Sequence, residues 1–338
     1  MTLYALEDLD DALAVTRALL TPIDRTVWVK LAFVAFFIGG PGGSVNPVQY
    51  TAGGNGGGNG TPPPGGMPGF DPGPRVWLLI AGVVGAIVLI ALVFTLIGSI
   101  MEFVFVESLR SETVTIRQYW RRRWRQGLRL FGFRLVIGFF VFGTALLFGA
   151  IAYLSLESVT PGAVAAIVLL LIPMFVVLAL VVGLVSGFTT AFVVPIMIKT
   201  DCGVLAGWRR LWPTITANPW QYLAYAVSSF FLSIIGGILI AMATGLLALA
   251  LLIPFGLLFA VGVGLLVFVA EPLGIGVLVV VGLLFGLSIL VVAALVQVPV
   301  LAYLRYYALL VLGDIDPEFD LIPEQRANVR ESSAASAT

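Results

Sequence analysis

The chain has 338 residues, of which 60% are hydrophobic and 11% charged, with 18 basic and 18 acidic side chains and no net charge. An ordinary soluble domain carries about 25% charged residues, so this composition excludes one, and a mean hydropathy of +1.08 points to a helical membrane protein. No histidine is present and Cys202 is the single cysteine, which excludes Ser-His-Asp triads, histidine-ligated metals, multi-cysteine metal sites and intrachain disulfides.

In chain order, the opening MTLYALEDLDDAL is acidic and lacks the basic and apolar regions of a signal peptide, so the first helix is expected to insert uncleaved. Within residues 5–20, Leu6, Leu9, Leu13 and Leu20 share one helical face, with Glu7, Asp8, Asp10 and Asp11 opposite. That stripe suits a helix lying in the membrane plane. A short apolar run, 27–40, reaches membrane length only if Lys30 snorkels to the headgroups. The Gly/Pro-rich segment 39–75 cannot pack a core and is expected to be a flexible outer loop. It holds one sequon at Asn59, a candidate glycosylation site weakened by Pro62, and no phosphate-binding GxxxxGK[ST].

Further apolar runs follow at 76–97 (continuing to 109), 128–154, 162–198, from 220, and 276–312. The stretch 220–270 is too long for one span and is expected to divide near Pro254, with 251–270 as a re-entrant or outer-leaflet segment. Cytoplasmic loops are enriched in Lys and Arg. Six crossings, with both termini cytoplasmic, place seventeen of the eighteen basic residues inside and only Arg75 outside; a seventh crossing gives fourteen to four. The tail from 314 is polar and expected to be largely disordered beyond about Pro323.

Two segments align without a gap: FVFVESLRSE (103–112) and FVVPIMIKTD (192–201). Each ends a long apolar run, and each precedes a Trp–Arg cluster, YWRRRW (119–124) or WRRLW (208–212). The N-terminal DDALAVTRALLTP matches DCGVLAGWRRLWP in spacing. The expected unit is an amphipathic helix, a span, an outer turn and a long span ending inside. Its three copies cover about 3–110, 111–200 and 201–313, making residues 1–313 the integral membrane domain. A helix of about 35 residues rises roughly 52 Å against a hydrocarbon core of about 30 Å. The final segments, 102–109, 191–198 and 299–312, are therefore expected near the cytoplasmic headgroups.

The candidate site residues are Trp120, Arg121, Arg122, Arg123, Trp124 and Arg125, with Trp208, Arg209, Arg210 and Trp212 in the second cluster. Arginine and tryptophan at this depth fix topology and anchor the interface; the sharper reading is recognition of anionic lipid. A nucleic-acid module would show a broad basic surface with stacking aromatics, and nucleic acid is not an expected partner. Glu102, Glu107, Arg129 and Arg134 flank one cytoplasmic turn and are expected to form ion pairs, while Arg305 is expected to snorkel.

The block FVVPIMIKTDCGVLAGWRRLWPTITANPWQYLAY and the closing RYYALLVLGDIDPEFDLIP resemble an uncharacterised family of haloarchaeal multi-pass membrane proteins. A looser likeness connects the chain to the membrane domain of some glycerophosphodiester phosphodiesterases, whose catalytic domain is absent here. The resemblance implies no catalytic residue and no cofactor. The expected fold is an all-α membrane protein of about six transmembrane helices, built as three hairpin repeats with cytoplasmic interfacial helices. The expected role is structural or lipid-interacting in the plasma membrane, with a membrane-protein partner or a second copy as candidate associates, and not enzymatic. The alternative is a transporter or channel using the space between repeats.

Overall fold

A computed structural model describes residues 4–21, 24–39, 73–156 and 161–336, and every regular element among them is helical. Two helices open the chain, α1 (Tyr4–Leu20) and α2 (Arg25–Gly39). Next come α3 (Pro74–Ser111), α4 (Ile116–Leu156) and α5 (Pro161–Phe188). A π-helical turn (Thr189–Val193) joins α5 to α6 (Val194–Thr200), followed by α7 (Val204–Ala217). The last long helices are α8 (Pro219–Phe268) and α9 (Glu271–Ile315), and α10 (Pro323–Ser336) closes the chain after a 3-10 turn at Pro317–Phe319. Asn59 lies outside the described residues.

Five segments are long and apolar enough to cross a membrane: Pro74–Ser111, Ile116–Ala150, Leu171–Thr200, Pro219–Phe268 and Glu271–Ile315. The first run of the sequence is not among them. With 15 residues, α2 rises only about 22 Å. It stops where Phe37 meets Phe94 and where Gly39 meets the Gln297 side chain. Lys30 is exposed, and its Nζ donates to the Val114 carbonyl at 3.2 Å in the turn between α3 and α4.

The expected division of 220–270 is also absent. The 50-residue α8 runs unbroken through Pro254. Proline removes one backbone donor, and local adjustment in an apolar helix absorbs that loss. Residues 251–268 are thus the second half of α8, packed antiparallel on α9. The reversal is tight: a Cβ at Gly274 would stand 2.3 Å from the Leu266 Cα, so only glycine fits where the hairpin closes.

Burial is concentrated at one end of the bundle. Residues 98–109 of α3, 189–198 of the π turn and α6, and most of 298–313 of α9 are buried, and the three segments touch one another. They are the final segments expected near the headgroups, and they form the protein's core. Wrapping that core are α1, the first turns of α4, and α7. The reason is apolar content on every side: FVFV (103–106) and VVPIM (193–197) have no polar face to offer a surface, so other helices must cover them. The opposite ends of the long helices behave otherwise. Leu78, Leu79, Val83, Ile87 and Leu89 of α3 are all exposed, as are Phe139 and Phe140 of α4 and Leu180 of α5. An apolar stretch exposed on every face is what a helix in lipid presents.

The tail differs from its expected disorder. Residues 323–336 form α10, held by Arg326 against Asp314 and Asp320 and by Arg330 against Asp8, Asp11 and Asp314. Helices α1 and α9 and the segment before α10 thus converge on two tail arginines, which composition alone does not reveal.

Candidate functional site

The centre of the buried core is charged. Glu102 of α3 is fully buried and faces two arginines. Its Oε2 lies 3.6 Å from Nη2 of Arg134, on α4, and its Oε1 accepts from Nη2 of Arg305, on α9. Arg134 also donates to Ser99 Oγ at 3.2 Å and reaches Thr190 Oγ1 of the π turn at 3.5 Å. The sequence order brings this about. Ser99 and Glu102 are three residues apart on one face of α3, and the π turn presents Thr190 toward them. Arg305 was expected to snorkel to the surface; it turns inward because Glu102 offers the nearest counter-charge.

The triad carries two positive charges and one negative. Taking charge out of water costs several kcal/mol per ion, offset only by good pairing and hydrogen bonds. Pairing here is incomplete, since Arg305 Nε has no hydrogen-bond partner. A buried site with one surplus guanidinium attracts an anion.

Glu107 heads a second cluster one turn nearer the α3–α4 loop. Arg123 approaches its Oε2 at 3.7 Å, Arg122 approaches its Oε1 at 3.8 Å, and Arg123 also stands 3.8 Å from Asp201. Gln126 ties the cluster to α6, donating to the Met197 carbonyl at 3.0 Å and to Asp201 Oδ1 at 2.7 Å. Glu102, Glu107 and Arg134 therefore join ion pairs, in two separate clusters and with partners 122, 123 and 305. Arg129 does not: it is exposed and forms no ion pair among the described residues.

The Trp–Arg clusters split in the same way. Arg123 is buried in the Glu107 cluster, so it is not part of any lipid-facing surface. Trp120 packs partly against the core. Trp208 turns inward and donates its Nε1–H to Thr189 Oγ1 at 3.0 Å, capping the π turn. The remaining members face out. Arg121, Arg122 and Arg125 are exposed on α4 and Arg209 and Arg210 on α7. Among them stand Trp124 (44% exposed), Trp212 (60%) and Leu205 (71%). Arg125 lies over the Trp124 ring at 5.7 Å, a cation–π contact. A shallow depression on α7 is lined by Leu205, Trp208, Arg209, Trp212 and Pro213. This surface joins exposed cations to exposed amphipathic rings, the chemistry that meets acidic headgroups above acyl chains.

Sequence reasoning missed a third cluster. Asp8, Asp11, Asp314 and Arg330 meet where α1, α9 and α10 join. Burial and the negative charge of Asp314 push the Asp8 carboxyl up to about 8. The available signals were the spacing of Asp8 and Asp11 on one helical face and of Arg326 and Arg330 four apart. No group of three or more Cys, His, Asp or Glu among the described residues is arranged to hold a metal ion.

No curated protein and no solved structure matches the chain significantly. A family model matches residues 3–322, nearly the whole of the core and the surface just described. The chain belongs to a family of unknown function (DUF7544).

Proposed function

We propose that this chain is a multi-pass plasma-membrane protein with both termini cytoplasmic, which binds anionic lipid at its Trp–Arg surface and catalyses no reaction. One observation carries the reading: five arginines at 121, 122, 125, 209 and 210 stay exposed beside Trp124 and Trp212, while the neighbouring Arg123 is taken into an ion pair. The surface is thus a remainder, selected by packing: Arg122 also approaches Glu107 at 3.8 Å, and Arg121, Arg125, Arg209 and Arg210 form no ion pair among the described residues.

The proposed architecture is three related units. Glu112 and Asp201 stand at matched positions of the aligned segments, each ends a helical run, and they are the positive-φ non-glycine residues among the described residues, at 53° and 51°. A shared left-handed cap at equivalent positions supports common descent of the first two units. The mutual contact of 98–109, 189–198 and 298–313 supports the third.

The experiment is lipid retention by the purified full chain. Delipidated protein is incubated with phosphatidylglycerol or phosphatidylcholine, and bound lipid is counted. Each surface arginine contributes roughly 1 kcal/mol toward an anionic surface. R121Q/R122Q/R125Q should lose the preference for phosphatidylglycerol with phosphatidylcholine binding unchanged. Equal retention of both lipids by the unsubstituted chain would overturn the proposal.

A further inference from the structure

A cavity of about 370 Å³ opens between α5, α8 and α9. On α8 its lining extends from Tyr225 to Ile240, sixteen residues, or roughly 22 Å along the axis. It is therefore a groove, and its two ends differ. At the inner end stand Arg305, Tyr225, Thr190 and Ser186; at the outer end stand Val176, Leu180 and Ile240. Small residues keep it open. Gly183 and Gly187 line it from α5, and a Cβ at either would meet nothing within 4 Å.

The inner end is where the surplus charge lies. Arg305 lines the groove and shares Glu102 with Arg134, so one guanidinium charge has no protein counter-ion. Its Nε has no hydrogen-bond partner. The hydroxyls nearby are committed in the other sense. Thr190 donates to the Ser186 carbonyl, Ser229 to Ala226 and Ser233 to Ser229, so their protons are used within their own helices. The donors left for a guest are Arg305 and the Tyr225 and Ser186 hydroxyls, and all three suit an anionic oxygen.

We propose that this groove binds an amphiphile with an oxyanion headgroup, its head at Arg305 and Tyr225 and its hydrocarbon chain laid outward between α5 and α8. The two ends carry the assignment: surplus buried cation at one and apolar side chains at the other, connected by a channel that glycine keeps free. A free fatty acid and an anionic phospholipid share this chemistry. The inference does not rest on the Trp–Arg surface, which is a separate site.

The test uses the full chain in a neutral detergent with three probes: palmitate, phosphatidic acid and methyl palmitate. G183L/G187L fills the groove from positions with open space, and G138L, which also meets nothing within 4 Å, is the control outside it. R305Q removes the surplus charge and leaves Glu102 paired with Arg134. Saturable binding of palmitate or phosphatidic acid is expected, weakened at least about tenfold in R305Q and G183L/G187L and unchanged in G138L. Palmitate alone would assign the guest as a free carboxylate, and phosphatidic acid alone as a phospholipid headgroup. Binding of neither, equal binding of methyl palmitate, or full binding by G183L/G187L would overturn the proposal. If R305Q fails to fold, G183L/G187L decides. Loss of phosphatidylglycerol preference in R121Q/R122Q/R125Q reads the other site and leaves this result untouched.

Discussion

Glu102 is the counter-charge of two buried arginines, and its removal should be among the costliest single changes in the chain. Glu102→Gln leaves Arg134 and Arg305 facing each other without compensation. Breaking a buried pair costs about 3–5 kcal/mol, so thermal unfolding in detergent should show a large loss. E102Q/R305Q removes one cation with the anion and should recover part of that loss; no recovery would show that the residues act independently. Asp8 makes a prediction of a different kind. Its folded pKa is raised to about 8 by burial and by Asp314, with Asp11 adding to the rise and Arg330 opposing it. The ordinary aspartate value is about 3.9. The folded state therefore holds a proton that the unfolded chain has lost between these values. The stabilising contribution is full below about 4 and is lost as pH rises through about 8. The hydrogen-exchange protection of 323–331, relative to the intrinsic rate at each pH, should fall from pH 6 to pH 9, and Asp8→Asn should flatten that fall. At this scale the sequence showed that Glu102 and Arg134 must be satisfied, because ionisable residues in apolar helices demand partners. It did not show Arg305 as the partner, which lies some two hundred positions away.

Helix contact in this bundle depends on close approach at a few positions. A Cβ at Gly127 of α4 would lie 2.8 Å from the Ile100 Cα of α3, so backbone meets backbone there. Gly127→Ala should wedge α3 from α4 and cost about 1–3 kcal/mol, the usual range for overpacking. Gly138→Ala on the same helix faces open space and should be neutral or slightly stabilising. Comparing the two melting temperatures separates steric from propensity effects, and equal shifts would contradict the tight α3–α4 seam. Helix type was legible from apolar runs, since continuous hydrophobicity over twenty residues leaves few alternatives. Element ends were not. Pro254 read as a break and Lys30 as an anchor. The first is absorbed within α8, and the second is used by the Val114 carbonyl.

For the whole molecule, orientation is the testable quantity. Cys202 is the only thiol, lies between α6 and α7 beside the Trp–Arg surface, and is partly exposed. A membrane-impermeant maleimide should leave it unlabelled in intact cells and label it after permeabilisation; labelling in intact cells would invert the proposed topology. The sequence by itself determined that the chain is helical, apolar and suited to a membrane, and that its positive charge is gathered into a few segments. Composition and charge placement are additive along a chain, so one dimension suffices to read them. Only the tertiary structure decided which charges are used up. Arg123, Arg134 and Arg305 read no differently from Arg121, Arg122 and Arg125 in the sequence, yet the first three are largely withdrawn from the surface onto carboxylates, while the others stay exposed, Arg122 with Glu107 within reach. Pairing depends on which helices converge, and that convergence brings 102, 134 and 305 to one point through packing that no local pattern encodes.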